Sequence, residues 1–575
     1  MNVKEAAFYF AEIMIRHFVF SIFIMAILAA HQVIAADVDS RCLVQGSPWA
    51  YDSSRLFVRG KDNHLREWQR DVWGHRGERG DWNVFDLSNI EKQPRLIMSD
   101  PSFFSEWVNV YQTDEEGKFI LDDDRDPISE KTQIERVIAR GERGHLFEWQ
   151  RRLIVSGKTW EPWKWSDLTK EVTGRHIVAG TPSRTSNGMY DFIVTADLID
   201  VDIETYENFF TPTPDDRLLR WSLQDSSPND DLTSDDELVW SVVDLTNDSN
   251  GQTSAGNIVF DYWNNNIFTR DLNGHLLIGW LPFQSPSVDH ESYGAGKIDL
   301  TIAVGGQTII GDPVGYGIWL GEGLWPQGVS QHVFARDLKG HLYEWRHIWE
   351  RKKVVLSRNG PHTKAWREAM QSGWQLTDLT EAVGGRTVEG DPAVYITIAQ
   401  FEKNVVTAFL NVLARNSDGH LLKWSVVHSY WAGDADDPFR RKWNFSLEEN
   451  GRWVLEDLTE AVGGTIIKGD PMMVKTRNFI SPNAYAITER IFAEGKDNHL
   501  LEWYRDWVTE TEGDSWNYIF VVPSQSGWKV SDLTTKHCNP TDIENLTILP
   551  VQPEDNNRCP NDQDDESHTL DPFCQ

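Results

Sequence analysis

Cysteine, basic charge and long apolar runs are scarce in this sequence, and each scarcity excludes something. Four cysteines stand in 575 residues, none spaced as a paired metal motif, so no zinc ribbon is expected. Fifty-five basic side chains face 88 acidic ones, a formal net charge of −33. Such a surface repels phosphate backbones and anionic lipid, which removes nucleic acid and electrostatic membrane binding from the expected partners. The sequence has no His-Glu-x-x-His, no Gly-x-Ser-x-Gly and no phosphate loop. A glycosidase needs only two carboxylates at a suitable separation, but nothing singles out a pair. The expectation is therefore a protein that is not an enzyme, with no catalytic residue, no cofactor and no metal.

What the sequence does have is tryptophan, 27 of them, arranged periodically. A unit typified by Gly311 to Gly385 recurs seven times. Within it, Asp337-Leu338-Lys339-Gly340 separates two runs rich in aromatic and branched residues, the pattern of a hairpin closed by a residue at positive φ. That last position is Asn63, Gly144, Gly274, Gly340, Gly419 or Asn498, the two residue types that enter the left-handed region cheaply. A tryptophan follows each turn, at Trp68, Trp149, Trp221, Trp280, Trp345, Trp424 and Trp503; Trp280 arrives one residue late, which predicts a bulge. A second one precedes each Asp-Leu-Thr/Ser, at Trp82, Trp163, Trp240, Trp374, Trp453 and Trp528, with Ala295 breaking the series.

Short strands with apolar groups on both faces must stack on neighbours at each side. The fold class expected is all-β: a seven-bladed β-propeller of four-stranded antiparallel blades. An open solenoid would want atypical end repeats, and the first and seventh units look like the middle ones. Innermost strands are expected to begin near Pro48, Pro101, Pro182, Asn257, Pro313, Pro392 and Pro471, where no ladder donor is needed. In the third unit a segment from Asp197 to Asp216 is expected to replace the hairpin turn, and Arg217 stands where the others have histidine.

The ends read differently. Arg16 and His17 precede an apolar run from Phe18 to Ala30, and small residues follow at Ala35 and Ala36, so residues 1–36 are expected to be a signal peptide. A retained signal anchor is the alternative; with cleavage, no membrane insertion follows. The propeller is expected over 42–538 and an acidic tail over 539–575, with a secreted, extracellular or periplasmic destination. In the repeat frame, Cys538 falls at the Gly463 position and Cys42 at the Thr465 position, so a Cys42–Cys538 disulfide would close the ring where every other junction is continuous. Cys559 and Cys574 would close a loop in the tail. Four cysteines permit three pairings, and the sequence alone does not choose. The acidic stretches Asp122–Asp124 and Asp235–Glu237 match no calcium-loop spacing and read as solvated carboxylates. Asn247, Asn444 and Asn545 head Asn-x-Ser/Thr sequons.

Arginine before the turn and glutamate before the tryptophan recur as pairs: Arg59 with Glu67, Arg140 with Glu148, Arg336 with Glu344. With Arg336 opposite Leu342, Glu344 becomes its diagonal neighbour on one face. Such a pair beside tryptophan suits sugar hydroxyls; the competing reading is a salt bridge between packed blades. The histidines His64, His145, His275, His341, His420 and His499 are expected to cap their own turns or pack on tryptophan rather than share a metal. Long loops carrying Trp366, Trp431, Trp443 and Trp516 gather on the opposite face, where a protein partner would be held.

The run from His332 to Trp345, followed by Trp374 to Tyr395, resembles the tectonin-like and fucose-lectin-like β-propellers over roughly Cys42 to Cys538. That resemblance implies an exported protein with several carbohydrate sites in clefts between blades, each with an aromatic face and arginine and glutamate hydrogen bonds. The matching positions are Arg59, Glu67, Trp68, Arg140, Glu148, Trp149, Arg336, Glu344 and Trp345. Four blades lack the pair. The function expected is therefore multivalent binding of glycans or glycoconjugates, with an extracellular protein-interaction scaffold as alternative and a polysaccharide hydrolase third.

Overall fold

The computed structural model describes residues 42–50, 54–70, 82–90, 94–111, 120, 129–154, 159–172, 177–179, 181–186, 208–215, 217–225, 238–248, 259–261, 266–280, 296–320, 328–350, 373–402, 405–432, 443–444, 452–481, 484–510 and 527–537. The signal segment, Cys538, Cys559, Cys574, the tail and the two acidic stretches lie outside the described residues.

Seven antiparallel blades of four strands stand in chain order. Blade five shows the plan: Ile309–Leu320, Gly328–Asp337, Leu342–Glu350 and Gln375–Asp378. First strands start directly after Pro48, Pro101, Pro182, Pro392 and Pro471, as a residue without an N–H donor allows. Blade five begins earlier, at Ile309, with a register shift between Ile310 and Val314 that accommodates Pro313. The first strands of blades three and four pair in parallel, Thr185 opposite Phe260, which joins those two blades into one eight-stranded sheet.

The repeated residues of the turn and of Asp-Leu-Thr each have a structural cause. The six turn residues all take positive φ, from 62° at Asn498 to 81° at Gly340 and Gly419. Gly340 has a second reason, because a Cβ there would meet the Val388 carbonyl oxygen at 2.7 Å. The histidine after the turn gives or takes a bond at Nδ1 with the aspartate ending strand four, 2.7 Å for His341 and Asp378. That aspartate also caps the helical turn Leu379–Ala382 by accepting from the Glu381 N–H. The leucine of Asp-Leu-Thr is buried, and the threonine hydroxyl accepts the backbone N–H of the residue after the histidine. This last bond occurs in all seven blades, as Leu65 to Ser88, Leu146 to Thr169, Leu218 to Thr246, Leu276 to Thr301, Leu342 to Thr380, Leu421 to Thr459 and Leu500 to Thr534. The two sequence motifs are thus the two halves of one tie between the hairpin and the fourth strand.

Blade three departs from expectation. Its hairpin turn is present between Thr213 and Arg217, and the inserted segment instead precedes its second strand, Asn208–Pro212. The Thr213 hydroxyl accepts the Arg217 N–H, as Asp337 Oδ1 accepts the His341 N–H in blade five. Arg217 replaces the histidine by donating to Asp244 at 3.1 Å. Blade four has no bulge at the tryptophan: the pairing runs unbroken from Arg270 opposite Leu276 to Asn266 opposite Trp280, so Gly279 stands at the Trp345 position.

The ring closes by the bond that links the other blades. Junction residues Ile97, Val178, Ile309, Val388 and Ile467 donate a backbone N–H to the turn carbonyl of the blade they leave, and Val44 donates to Asn498 of blade seven at 2.7 Å. Val44, Leu56 and Trp68 share a buried cluster with Val474, Phe492, Leu500 and Leu533, so blade seven packs on blade one as on blade six. Cys42 is fully buried in that cluster and is not a free thiol.

Candidate functional site

The structure separates the arginines from the glutamates nominated with them. The register is as expected, with Arg336 opposite Leu342 and Phe334 opposite Glu344. Yet each member turns to a different neighbour.

Arg59, Arg270 and Arg336 reach the junction into the following blade, and Arg140 the junction from the preceding one. Arg59 pairs with Asp100 at 3.5 Å, Arg336 with Asp391 at 3.5 Å, and Arg140 donates to the Met98 carbonyl at 3.0 Å. Arg270 donates to the Gly311 carbonyl at 2.9 Å, while Glu494, at the arginine position of blade seven, accepts from the Gly46 N–H. Asp391 is pushed up to about 7, by burial first and then by Asp312 and Asp470. Asp470 is pushed up to about 6 by burial, with Asp100 adding to the effect. Aspartates of blades two, five, six and seven sense one another only if all face the propeller axis. With Arg59, Arg336 and Arg415 among them, they form a collar of acids and bases.

The glutamates lock the blades together. Glu67 is buried and uses both oxygens, accepting from Arg151 Nη2 at 3.1 Å and Trp163 Nε1 at 3.0 Å, both on blade two. Glu148 accepts from Arg136 Nη1 at 2.6 Å and from Trp240 Nε1 of blade three at 3.3 Å. Glu344 bonds His332 Nδ1 at 2.7 Å inside blade five. Trp68, Trp149 and Trp345 have 0% exposure, and Trp149 donates its indole N–H to the Leu87 carbonyl of blade one.

Residues not nominated complete these joints. Glu135, completely buried, binds Arg151 at 2.6 Å and Arg55 at 2.5 Å. Burial opposes its charge, but the two guanidiniums outweigh that and hold its carboxyl below the usual range. Arg151 also stacks over Trp163, as Arg70 does over Trp82 and Arg505 over Trp528. The signal was present in the sequence: a basic residue two places after the first tryptophan recurs in the units whose second tryptophan needs a partner.

On the hairpin-turn face, six histidine–aspartate pairs ring the surface at 2.6 to 3.0 Å. Hydrogen bonds from their aspartates raise His64, His275 and His341 above the ordinary histidine value. In blades five and six a glutamate joins, giving the groups His341, Asp378, Glu381 and His420, Asp457, Glu460, with atoms within 4.8 Å of one another.

No protein-family model matches the chain, and no curated protein does. Among solved structures, the WD40 domain of SCAP from fission yeast is similar at 9% identity and TM-score 0.31, over 79% of this chain and 94% of that one. The lectin SapL1 in complex with alpha methyl fucoside is similar at 11% identity and TM-score 0.28, over 67% and 95%. A Trypanosoma rangeli sialidase is similar at 11% identity and TM-score 0.21, over 71% and 53%. The chain is a seven-bladed β-propeller.

Proposed function

We propose that this protein is an exported, non-enzymatic propeller of the tectonin-like kind that works as an interaction scaffold, holding a protein partner on its hairpin-turn face. One observation supports this reading above the others. The repeated glutamates and tryptophans are spent inside blade joints, whereas the exposed turn tips change chemistry from blade to blade. Lys61, Glu142, Leu272, Leu338, Ser417 and Lys496 occupy one equivalent tip position. Repetition there serves the ring, and variation serves recognition.

A second reading, glycan binding at the arginine collar, has its own support. The Arg59 and Arg336 side chains stay 15% and 19% exposed beside Asp100 and Asp391, and a saccharide hydroxyl accepts from a guanidinium. The test is binding of the full oxidised chain to a broad glycan panel, with free monosaccharide as competitor and Arg336→Ala alongside. The scaffold reading expects no monosaccharide-sensitive signal. Saccharide-specific binding weakened by Arg336→Ala would replace it with the glycan reading.

A further inference from the structure

The scaffold reading can be taken to a particular notch by comparing blades five and six. In blade six, Asp457 and Glu460 hold a cation supplied by the chain itself: Arg386 Nη1 pairs with Asp457, and Nη2 with Glu460 at 3.2 Å. Asp457 stays below the usual carboxylate range although burial opposes it, because the Glu460 N–H, His420 and Arg386 all favour its charge. Arg386 belongs to the connection Gly384-Gly385-Arg386 that leaves blade five.

Blade five repeats the notch with His341, Asp378 and Glu381. The connection that leaves blade four is Gly305-Gly306-Gln307, the sequence equivalent of Gly384-Gly385-Arg386, and it lies against blade five, since a Cβ on Gly306 would meet Leu376 Cδ2 at 3.1 Å. A neutral, exposed glutamine thus stands where blade six receives a guanidinium. Among the described residues, neither Asp378 nor Glu381 pairs with a lysine or arginine. Exposed apolar side chains also stand on the blade-five turn and on the blade-four elements that precede Gln307. Leu338 is 80% exposed on the blade-five turn, and Ile302 is 69% and Leu272 56% exposed on blade four. Their counterparts in the other blades with this turn are charged or polar, Lys61, Glu142, Ser417 and Lys496 for the turn leucines and Glu381, Glu460 and Thr535 for Ile302.

We propose that the blade-five notch receives an arginine side chain of a partner protein, flanked in that partner by apolar residues. The arginine would make with Asp378 and Glu381 the contacts Arg386 makes with Asp457 and Glu460, and Leu338 and Ile302 would cover its neighbours. This rests on the scaffold reading. An exposed ion pair contributes little alone, so these apolar side chains and the strongly negative chain must both add to affinity.

The test uses the full chain and two labelled, blocked tripeptides, Leu-Arg-Leu and Leu-citrulline-Leu, titrated by fluorescence anisotropy at low ionic strength. The arginine peptide is expected to bind about fivefold or more tightly than the neutral one. Gln307→Arg should abolish that preference and raise Tm, because the chain then fills its own notch. Glu381→Gln should weaken the arginine peptide about fivefold, and Arg386→Gln should open in blade six a second, weaker arginine-preferring site, because Ser417 and Glu381 stand there in place of Leu338 and Ile302. Equal binding of the two peptides, or a preference that survives both Gln307→Arg and Glu381→Gln, overturns the proposal. So does manganese binding seen by electron paramagnetic resonance and lost in Gln307→Arg without any peptide binding, which would make the notch a metal site. None of these failures touches the glycan panel, so the scaffold reading is judged separately.

Discussion

His341 and Asp391 show how a raised proton affinity arises in two ways, one by favouring a charged histidine and one by opposing a charged carboxylate. Hydrogen bonding to Asp378 raises His341, so its pairing stabilises the fold fully below the ordinary histidine value and loses that contribution as pH rises through the raised one. His341→Gln is therefore expected to lower Tm more at pH 6 than at pH 9, measured by thermal melts across that range; an equal loss at both would refute a charged pair. Asp391 has the same sign of pH dependence, here because the fold favours its neutral form. Its carboxyl is raised to about 7, so the folded state binds its proton more tightly than the unfolded chain and loses stability between the usual carboxylate value and about pH 7. Asp391→Asn keeps an acceptor for its neighbours while removing the charge. It should melt higher than the parent at pH 8, with the gap closing towards pH 4. A variant less stable than the parent at pH 8 would mean that the attraction to Arg336 outweighs burial and the repulsion from Asp312 and Asp470.

At the scale of strands and blades, the joint between blades one and two is a buried network of Arg55, Glu67, Glu135, Arg151 and Trp163. Removing one member of such a network leaves the opposite charge stranded, at a typical cost of about 3–5 kcal/mol. Glu135→Ala should lose stability of that order in urea melts, and Glu135→Ala combined with Arg55→Met should recover part of it, since Arg151 keeps Glu67 and the guanidinium facing the emptied place is gone. The turn, the tryptophans and the recurrence of Asp-Leu-Thr were legible in the sequence because each is a local spacing, whereas the tie from that threonine to the hairpin spans 23 to 38 residues and was not read from it. The blade-three turn was misread because Thr213 stands where its counterparts have aspartate, asparagine or glycine. The arginine–glutamate pairs were legible as far as their register, yet the partner of Glu67 lies 84 residues away in Arg151. Pair spacing inside one hairpin carries no information about which charge the next blade presents.

For the whole molecule the decisive question is what holds the ring at the one boundary without chain continuity. Val44 donates to Asn498, Gly46 donates to Glu494, and the first and seventh blades share a buried cluster, so noncovalent closure repeats what the other joints have. The other joints, however, also have a covalent connection, which keeps neighbouring blades at high effective concentration even when the joint opens. Cys42 stands two residues before Val44, and His537, the residue before Cys538, lies 3.4 Å from the Trp82 backbone nitrogen through its Nδ1. A Cys42–Cys538 disulfide would restore continuity at that position. Cys42→Ser should then lower stability by about 2–5 kcal/mol, and reductant should lower the parent's Tm by a similar amount while leaving the variant's unchanged. Peptide mapping under nonreducing conditions should recover Cys42 joined to Cys538, with Cys559 and Cys574 in a separate fragment. Cys42 joined to either tail cysteine would transfer closure to the tail, and trimming the tail would then destabilise the propeller; under the pairing proposed here, trimming beyond Cys538 leaves Tm where it was.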